Sequence, residues 1–262
     1  QRLVLAQALS FDQISGVVGL VRNVLLGTLA VEGAGALILM LRFWPEFGLG
    51  RAVWYGVFHS VSAYCNAGFD VLGDLASGGS LCGYVDDPVV NLTIMALITI
   101  GGLGFAVWGD IRKNRRFSRL SVYSRLVVAI SLGLTLGGAA VIALLEWNNP
   151  GTIGGLSAGG KVLASLFQSV TLRTAGFASF DQNALRDVTK AVCDVLMFVG
   201  GSSGSTAGGA KTTTILLVLL TAASILKGEE NVHIFGRRIE NDLLRRACSI
   251  VVVYFTMGML AT

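Results

Sequence analysis

Three long apolar runs constrain the fold of this chain more than any other feature of its sequence. Residues 24–41 contain a single charged side chain, Glu32, and residues 88–109 and 126–145 contain none. As helices with a rise of about 1.5 Å per residue, runs of this length cross the roughly 30 Å hydrocarbon core of a membrane. The sequence therefore predicts membrane-spanning helices at Val24–Leu41, Pro88–Gly109 and Leu126–Leu145.

Two further segments extend this pattern. Residues 195–226 are largely apolar but are interrupted by a Gly/Ser-rich tract and Lys211, and residues 247–262 are apolar throughout. Charged residues make up only 14% of the chain, against about a quarter in soluble domains, which argues against an ordinary soluble enzyme. The prediction is an all-α polytopic membrane protein with about five spanning or partly spanning segments.

The charges between the apolar runs indicate the topology. Residues 110–125 hold six basic side chains and one acid, residues 227–246 hold five bases, and residues 70–87 hold four acids and no base. Because basic connections tend to stay on the cytoplasmic side, both basic segments are expected inside and residues 70–87 outside, in a multi-pass protein of the plasma membrane. The net charge of +4 is thereby explained without a nucleic-acid partner.

A sequence repeat organises the chain. Residues 58–62 (Phe-His-Ser-Val-Ser) are echoed 109 positions later by residues 167–171 (Phe-Gln-Ser-Val-Thr). Each copy is soon followed by Ala-Gly-Phe, at residues 67–69 and 175–177. The order of apolar run, short amphipathic segment and Ala-Gly-Phe is the same in both copies, which indicates duplicated membrane units.

The short segments of the repeat, Val53–Ala63 and Lys161–Leu172, do not have the length to cross a bilayer. Such a segment is a core helix, a re-entrant helix or a helix at the interface. A re-entrant helix followed by a turn that lines a pore fits best, because non-helical backbone at membrane depth needs protein or a water-filled cavity around it.

The turns have the composition of a cation filter. Backbone carbonyls replace the hydration shell of a monovalent cation, and glycine adopts conformations that a Cβ forbids. We therefore predict that the carbonyls of Gly68 and Gly176 coordinate the ion; the alternative is that each glycine only caps a short helix. The predicted filter segments are Asn66, Ala67, Gly68 and Phe69, and Thr174, Ala175, Gly176 and Phe177.

The Gly/Ser tract at residues 200–209 is the second candidate site. It contains five Gly, three Ser and one Thr, and each Gly costs a helix up to about 1 kcal/mol relative to Ala. Unwound backbone there is expected to line a cavity; the alternative is a Gly-rich face for tight helix packing. A phosphate-binding loop is excluded, because Ala210 separates Gly209 from Lys211.

Three stretches carry a resemblance to a known family: His59–Asp70 (HSVSAYCNAGFD), Thr171–Phe177 (TLRTAGF) and Phe198–Thr214 (FVGGSSGSTAGGAKTTT). They resemble the Trk/Ktr/HKT superfamily of potassium transporters, and look most like its Ktr-type (KtrB-like) membrane subunits. The resemblance implies four helix-pore helix-helix repeats around one pore, each giving one filter segment. This chain is similar to the second and third repeats, followed by the first helix of the fourth.

The resemblance also implies the domain organisation. The expected parts are a cytoplasmic or interfacial linker (1–20), a helix-pore loop-helix repeat (21–109), a basic cytoplasmic loop (110–125), a second repeat with a broken gating helix (126–226), a cytoplasmic loop (227–246) and the start of a further repeat (247–262). Two filter segments do not close a ring of four, so we expect the chain to be a piece of a longer polypeptide.

The function implied by the resemblance is translocation of potassium, or of potassium and sodium, with K+ held at the carbonyls of Gly68 and Gly176. An intramembrane loop would gate the flow. Its predicted residues are Gly200, Gly201, Ser202, Ser203, Gly204, Ser205, Thr206, Ala207, Gly208, Gly209 and Lys211. The family commonly has Pro where this chain has Ser203. The alternative function is a non-conducting partial subunit that needs the missing repeats or a partner to form a pore.

The expected partners are a second membrane subunit, in a homodimer, and a ring of cytosolic nucleotide-binding (RCK-type) regulatory subunits. The basic segments 112–125 and 227–246 are candidates for contacting that ring, although positive-inside topology explains them equally well. The chain is not expected to be an enzyme or to hold a cofactor other than the transported ion.

Isolated charges in apolar surroundings are costly, so their partners can be predicted. Arg173 adjoins the second filter segment and is expected to turn away from the ion towards an acid, with Glu32 and Asp181 as candidates. Lys211 either belongs to the gating loop or extends to the cytoplasmic interface. His59 is expected to pack within its short helix, because no second ligand nearby indicates a metal site.

Overall fold

The computed structural model describes residues 14–72, 79–227, 233–234, 237–238 and 241–260. In this part of the chain the α-helices are α1 Ile14–Tyr64, α2 Pro88–Leu103, α3 Phe105–Asn114, α4 Val122–Glu146, α5 Ala158–Thr171, α6 Asp187–Phe198, α7 Thr212–Leu226 and α8 Asn241–Leu260. Three 3-10 helices lie at Cys82–Tyr84, Phe117–Arg119 and Gln182–Ala184, and two short strands, His233–Ile234 (β1) and Arg237–Arg238 (β2), pair antiparallel. The prediction of a helical fold is confirmed.

Some of the predicted features lie outside the described residues. They are most of the linker at 1–20, the outer acid Asp74, and much of the cytoplasmic loop at 227–246.

The first helix contains both an apolar span and the short helix predicted to follow it. Val21–Tyr64 runs for 44 residues and includes a stretch apolar enough to cross a membrane; at about 1.5 Å per residue its full length is roughly twice the thickness of a membrane core. The helix divides at Gly48, where φ is 75° and ψ is 162°, just after Pro45. Residues 49–64 form the shorter arm, and this arm includes the predicted re-entrant segment Val53–Ala63.

In the second copy of the repeat, the apolar span and the short helix are two separate helices, α4 and α5. The 25-residue α4 is long and apolar enough to span a membrane, and α5 begins only after a folded connection. Glu146 organises this connection, because its fully buried carboxylate accepts several hydrogen bonds. The donors are Asn149 Nδ2 at 2.6 Å, Thr152 Oγ1 at 2.7 Å, Arg186 N at 3.1 Å and Thr189 Oγ1 at 2.5 Å.

The predicted span Pro88–Gly109 is not one continuous helix. α2 ends at Leu103, and α3 leaves it at an angle of 97°. Gly104 makes the bend with a φ of 89°, in a region of backbone conformation that side chains with a Cβ rarely adopt. Hydropathy gave the length of this apolar run, but the bend depends on tertiary contacts that hydropathy does not reveal.

The predicted interruption of the segment at residues 195–226 is present. α6 ends at Phe198 and α7 begins at Thr212, so residues 199–211 form a non-helical loop between two helices. We call residues 199–211 the tract loop.

Two buried apolar clusters hold the helices together. The larger joins α1, α2 and α5 and includes the fully buried Phe43 and Phe167; the smaller centres on Ile142. His59 lies in the larger cluster with no exposed surface, its ring edge-on to that of Phe43 at a centroid distance of 6.1 Å. Its predicted packing role is confirmed.

Candidate functional site

The two Ala-Gly-Phe segments lie against each other. A Cβ built on Gly68 would lie 2.1 Å from the carbonyl oxygen of Ala175 and 2.9 Å from the Cα of Gly176. Atoms do not approach this closely, so only glycine fits at position 68. The structure thus brings together two segments that are 108 residues apart in the sequence.

The same backbone conformation recurs in both segments. Asn66 and Thr174 have positive φ values of 51° and 66°, and Gly68 and Gly176 have φ values of 72° and 92°. The short helix before each segment also supplies an equivalent hydroxyl: Ser62 Oγ donates to Phe69 O, and Thr171 Oγ1 donates to Phe177 O, both at 2.7 Å. The sequence repeat is therefore a repeat of geometry.

The described hydrogen bonds leave the carbonyl oxygens just before Phe69 and Phe177 without a donor. Within the described part of the chain, no hydrogen bond from the protein reaches the carbonyls of Asn66, Ala67 and Gly68 or those of Thr174, Ala175 and Gly176. Gly176 is exposed and Gly68 is half-buried. Two stretches of free peptide oxygens consequently lie side by side, which is the arrangement that a dehydrated cation requires.

The tract loop is closed on itself by backbone contacts. Gly200 N donates to Ala210 O at 2.9 Å, and Ala210 N donates to Phe198 O at 3.3 Å. A Cβ on Gly200 would lie 1.9 Å from Gly208 O, so the two ends of the glycine tract are in direct contact. The tract is a compact folded loop, and helix packing through a glycine face, the alternative from the sequence, is not its structure.

The tract loop contacts both filter segments where the short helices end. Thr206 Oγ1 lies 2.8 Å from Tyr64 O and 3.3 Å from Asn66 Oδ1. Gly208 N donates to Thr174 Oγ1 at 3.1 Å. The loop therefore contacts the same end of both copies of the repeat.

The tract loop also caps α2. The carbonyls of a last helical turn have no partner within their own helix, and here outside groups bond all four. Trp108 Nε1 donates to Ile100 O at 2.9 Å, Thr206 N to Gly101 O at 3.2 Å, Ser202 N to Gly102 O at 3.0 Å, and Ser202 Oγ to Leu103 O. Phe105 N then donates to Gly204 O at 3.1 Å. These bonds hold the bend between α2 and α3.

Comparison with known proteins places this geometry in a family. Residues 14–262 match the family model described as "TrkH: Cation transport protein". The chain belongs to this family. The description as a transport protein agrees with the prediction that the chain is not an enzyme. Together with the long apolar helices, it establishes an all-α, multi-pass membrane protein.

Individual relatives of this TrkH-family chain are transport proteins by name. The "Ktr system potassium uptake protein B" of Bacillus subtilis is 38% identical over 252 residues, which are 96% of this chain and 56% of the relative. The "Potassium/sodium uptake protein NtpJ" of Enterococcus hirae is 35% identical over 260 residues, 99% of this chain and 56% of the relative. The chain thus spans a little over half the length of these relatives.

A solved structure shares the fold. The potassium transporter TrkH from Vibrio parahaemolyticus superposes with a TM-score of 0.76 at 19% sequence identity, over 93% of this chain and 50% of that one.

The remaining tract-loop residues differ in exposure. Gly200, Gly201, Ser202 and Ala207 are buried, Ser203, Gly204 and Gly208 are exposed, and Ser205, Thr206, Gly209 and Lys211 are intermediate. Lys211 Nζ donates to Ala207 O at 2.7 Å. The ammonium group of this TrkH-family chain therefore bonds within the tract loop.

The predicted acidic partner of Arg173 is wrong. Its side chain is 9% exposed, and its NH2 group donates to Ser131 Oγ of α4 at 3.2 Å. No described acid forms an ion pair with it. Glu32 instead lies beside Cys65, with 3.9 Å between Oε1 and Sγ, and Asp181 accepts a hydrogen bond from Asn183 N. The sequence showed that Arg173 must avoid the ion but not which helix it faces.

The outer acids have structural partners. Asp87 caps α2 by accepting from Val89 N and Val90 N, and it pairs with Arg42 Nε at 2.5 Å. Tyr84 lies beside the Arg42–Asp87 pair. Burial of its hydroxyl and the hydrogen bond to Glu46 raise the pKa of Tyr84 above its usual range. Asp87 is therefore committed to the fold, and Asp70 accepts a hydrogen bond from Leu72 N at 3.2 Å.

Two features of the site were missed from the sequence. The hydroxyls of Ser62 and Thr171, which fix the filter segments, stand at equivalent positions of the repeat and could have been recognised there. The contact of Thr206 with the first filter segment had no sequence signal, because the residues are 140 positions apart.

Proposed function

We propose that this chain supplies two filter segments and the gating loop of a pore that translocates potassium, with sodium as a second permeant ion. The names of the relatives from B. subtilis and E. hirae support these two ions. The observation that carries the proposal is the meeting of two stretches of free carbonyls, at Asn66–Gly68 and Thr174–Gly176, in matching conformations.

The repeat geometry supports a ring with further segments. Phe177 of the second copy is 2% exposed and packs on His59 of the first copy, with ring centroids 6.4 Å apart. The residue equivalent to His59 in the second copy is Gln168, beside a cavity of about 470 Å³ that no described side chain fills. The residue equivalent to Phe177 is Phe69, which is 70% exposed.

Each copy therefore has a free side where another copy is expected to pack. A following repeat would place its phenylalanine in the cavity beside Gln168, and a preceding repeat would cover Phe69. Each relative has roughly 200 residues beyond the part that this chain covers, because the covered 252 or 260 residues are 56% of its length; this is about the length of two more units.

We assign gating to the tract loop because it closes the inner end of both filter segments. Ions that leave the carbonyls of Gly68 and Gly176 meet Thr206 and Gly208, so the loop must move for them to pass.

Glycine substitutions in the full-length protein test the filter. Gly68→Ala places a methyl group 2.1 Å from Ala175 O at a φ of 72°, so we expect loss of rubidium and potassium uptake. Gly155→Ala is the matched control, because its Cβ meets no atom within 4 Å. Uptake by Gly68→Ala equal to that of Gly155→Ala, at equal protein levels in the membrane, would contradict the filter assignment.

Flux in liposomes separates the proposal from its alternative. If this chain is a partial subunit, residues 1–262 alone conduct nothing and conduction returns with the full-length polypeptide. Cation-selective flux from residues 1–262 alone would instead establish an autonomous pore. Competition between potassium and sodium in the full-length protein then measures the preference.

We further propose a homodimer of membrane subunits on a ring of cytosolic nucleotide-binding regulatory subunits. The name "Ktr system" of the B. subtilis relative supports a multi-component assembly. The exposed Arg115, Arg116 and Arg119, beyond the end of α3, form a basic surface on the side predicted to be cytoplasmic. Co-purification of the two subunits should weaken when these arginines are replaced by glutamine; unchanged co-purification would place the contact elsewhere.

A further inference from the structure

A groove of about 440 Å³ has three walls. They are the first part of α1, the end of the shorter arm of α1 at Tyr64, and the bent pair α2–α3. Its walls are mainly apolar, with Val24, Val31, Ile100 and Phe105 among them. Arg112 and Lys113, in the last turn of α3, line the same groove. The groove therefore has an apolar body and a strongly basic margin.

The bend at Gly104 creates this combination. Because α3 leaves α2 at 97°, its basic last turn comes to the side of α1 instead of continuing along the axis of α2. Trp108 is fixed in the wall by its hydrogen bond to Ile100 O at 2.9 Å, and it stands one helical turn before Arg112.

The predicted topology places the basic margin near the inner edge of the membrane. Asn23, which also lines the groove, precedes the exposed Trp44 by 21 residues. At about 1.5 Å per residue this corresponds to roughly 30 Å, the thickness of a hydrocarbon core. With Trp44 at the outer interface, Asn23 is at the inner one, where anionic lipids and basic side chains meet.

We infer that this groove binds an anionic phospholipid of the cytoplasmic leaflet. The phosphate would lie between Arg112 and Lys113, and an acyl chain would lie along Val24, Val31 and Phe105. Charge complementarity selects this occupant: a second protein helix would leave the two cations beside apolar surface, and a neutral lipid would leave them without counter-charge. Basic pockets between membrane helices on this side are known to take anionic headgroups.

Native mass spectrometry of the full-length protein tests the inference. The protein in detergent is titrated with phosphatidylglycerol and, separately, with phosphatidylcholine of the same acyl chains. We expect tighter binding of phosphatidylglycerol. Arg112→Gln with Lys113→Gln should weaken that binding by about 10- to 30-fold, equivalent to about 1 kcal/mol for each basic residue, and should leave phosphatidylcholine binding unchanged.

Two further variants separate headgroup from chain. Gly27 lines the groove, and a Cβ built on it would have no atom within 4 Å. The Cβ of Gly27→Leu is therefore accommodated, its side chain occupies groove volume, and the variant should weaken binding of both lipids. Arg116→Gln with Arg119→Gln removes the same charge from outside the groove and should change phosphatidylglycerol binding by less than about 2-fold.

Three results would overturn the inference. They are equal losses in the two charge variants, no preference for phosphatidylglycerol over phosphatidylcholine, and no lipid retained by the full-length protein, which would mean that further helices occupy the groove. Because lipid retention is measured without ion flux, its outcome does not depend on the proposed filter.

Discussion

Removal of the Thr206 hydroxyl tests the proposed gate at a single contact. This hydroxyl lies 2.8 Å from Tyr64 O and 3.3 Å from Asn66 Oδ1, and it joins the tract loop to the first filter segment. Valine has nearly the shape of threonine, so Thr206→Val removes the polar contact and changes little else.

The expected magnitude follows from the strength of one hydrogen bond. A neutral hydrogen bond contributes about 0.5–1.5 kcal/mol net, which corresponds to a change of about 2-fold to 12-fold in an equilibrium constant. In the proposed gate ions pass only when the loop leaves the filter, so Thr206→Val should raise the open fraction by this factor. Rubidium uptake under conditions that keep the wild-type protein mostly closed should rise accordingly.

Thr221→Val is the matched control. The Thr221 hydroxyl bonds to Leu217 O at 2.7 Å inside α7, away from the tract loop, so the same chemical change should leave uptake unaltered. Uptake by Thr206→Val that stays at the wild-type level, or changes equally in both variants at equal protein levels, would refute the assignment of this contact to the closed gate.

Three other substitutions test the packing around the site, each by the shift in thermal unfolding of the full-length protein. Glu146→Gln should destabilise by roughly 1.5–3 kcal/mol, because a carboxylate that accepts from four donors loses its charge and one acceptor oxygen. As a control, replacement of the exposed Asp194 by asparagine should change stability by less than about 0.5 kcal/mol. Ser131→Ala should cost about 1.5–3 kcal/mol by removing the hydrogen bond to the Arg173 guanidinium, and an unchanged melting temperature would contradict that pairing. Phe69→Ala should cost about 3 kcal/mol if a further repeat covers this side chain, and a change below about 0.5 kcal/mol would show that it stays exposed.

Periodic and repeated features of the sequence predicted most of the architecture. The apolar runs located α1, α2 and α4, since hydropathy over some 20 residues depends little on tertiary structure. The repeated Ala-Gly-Phe located Gly68 and Gly176, whose left-handed backbone conformations require glycine or strain. Composition alone predicted the interruption at residues 200–209.

Features that depend on contacts between distant segments could not be predicted in this way. Gly104 is one of three glycines near the end of α2, and a helix tolerates each of them; the bend forms there because Phe105 N finds Gly204 O a hundred residues later. The predicted partner of Arg173 was wrong because it also depends on a contact between distant segments. An acid was expected from charge, whereas burial against α4 brought a serine hydroxyl within reach.

The capping of α2 by the tract loop has a consequence for the solvent. While the loop is in place, the carbonyls of Gly101, Gly102 and Leu103 bond to Thr206 and Ser202. A loop that moves away leaves these three oxygens at membrane depth without donors, and only water can replace what they lose. In the proposed gate, opening is therefore coupled to wetting of the conduction path, and a dehydrated interior would keep the passage shut.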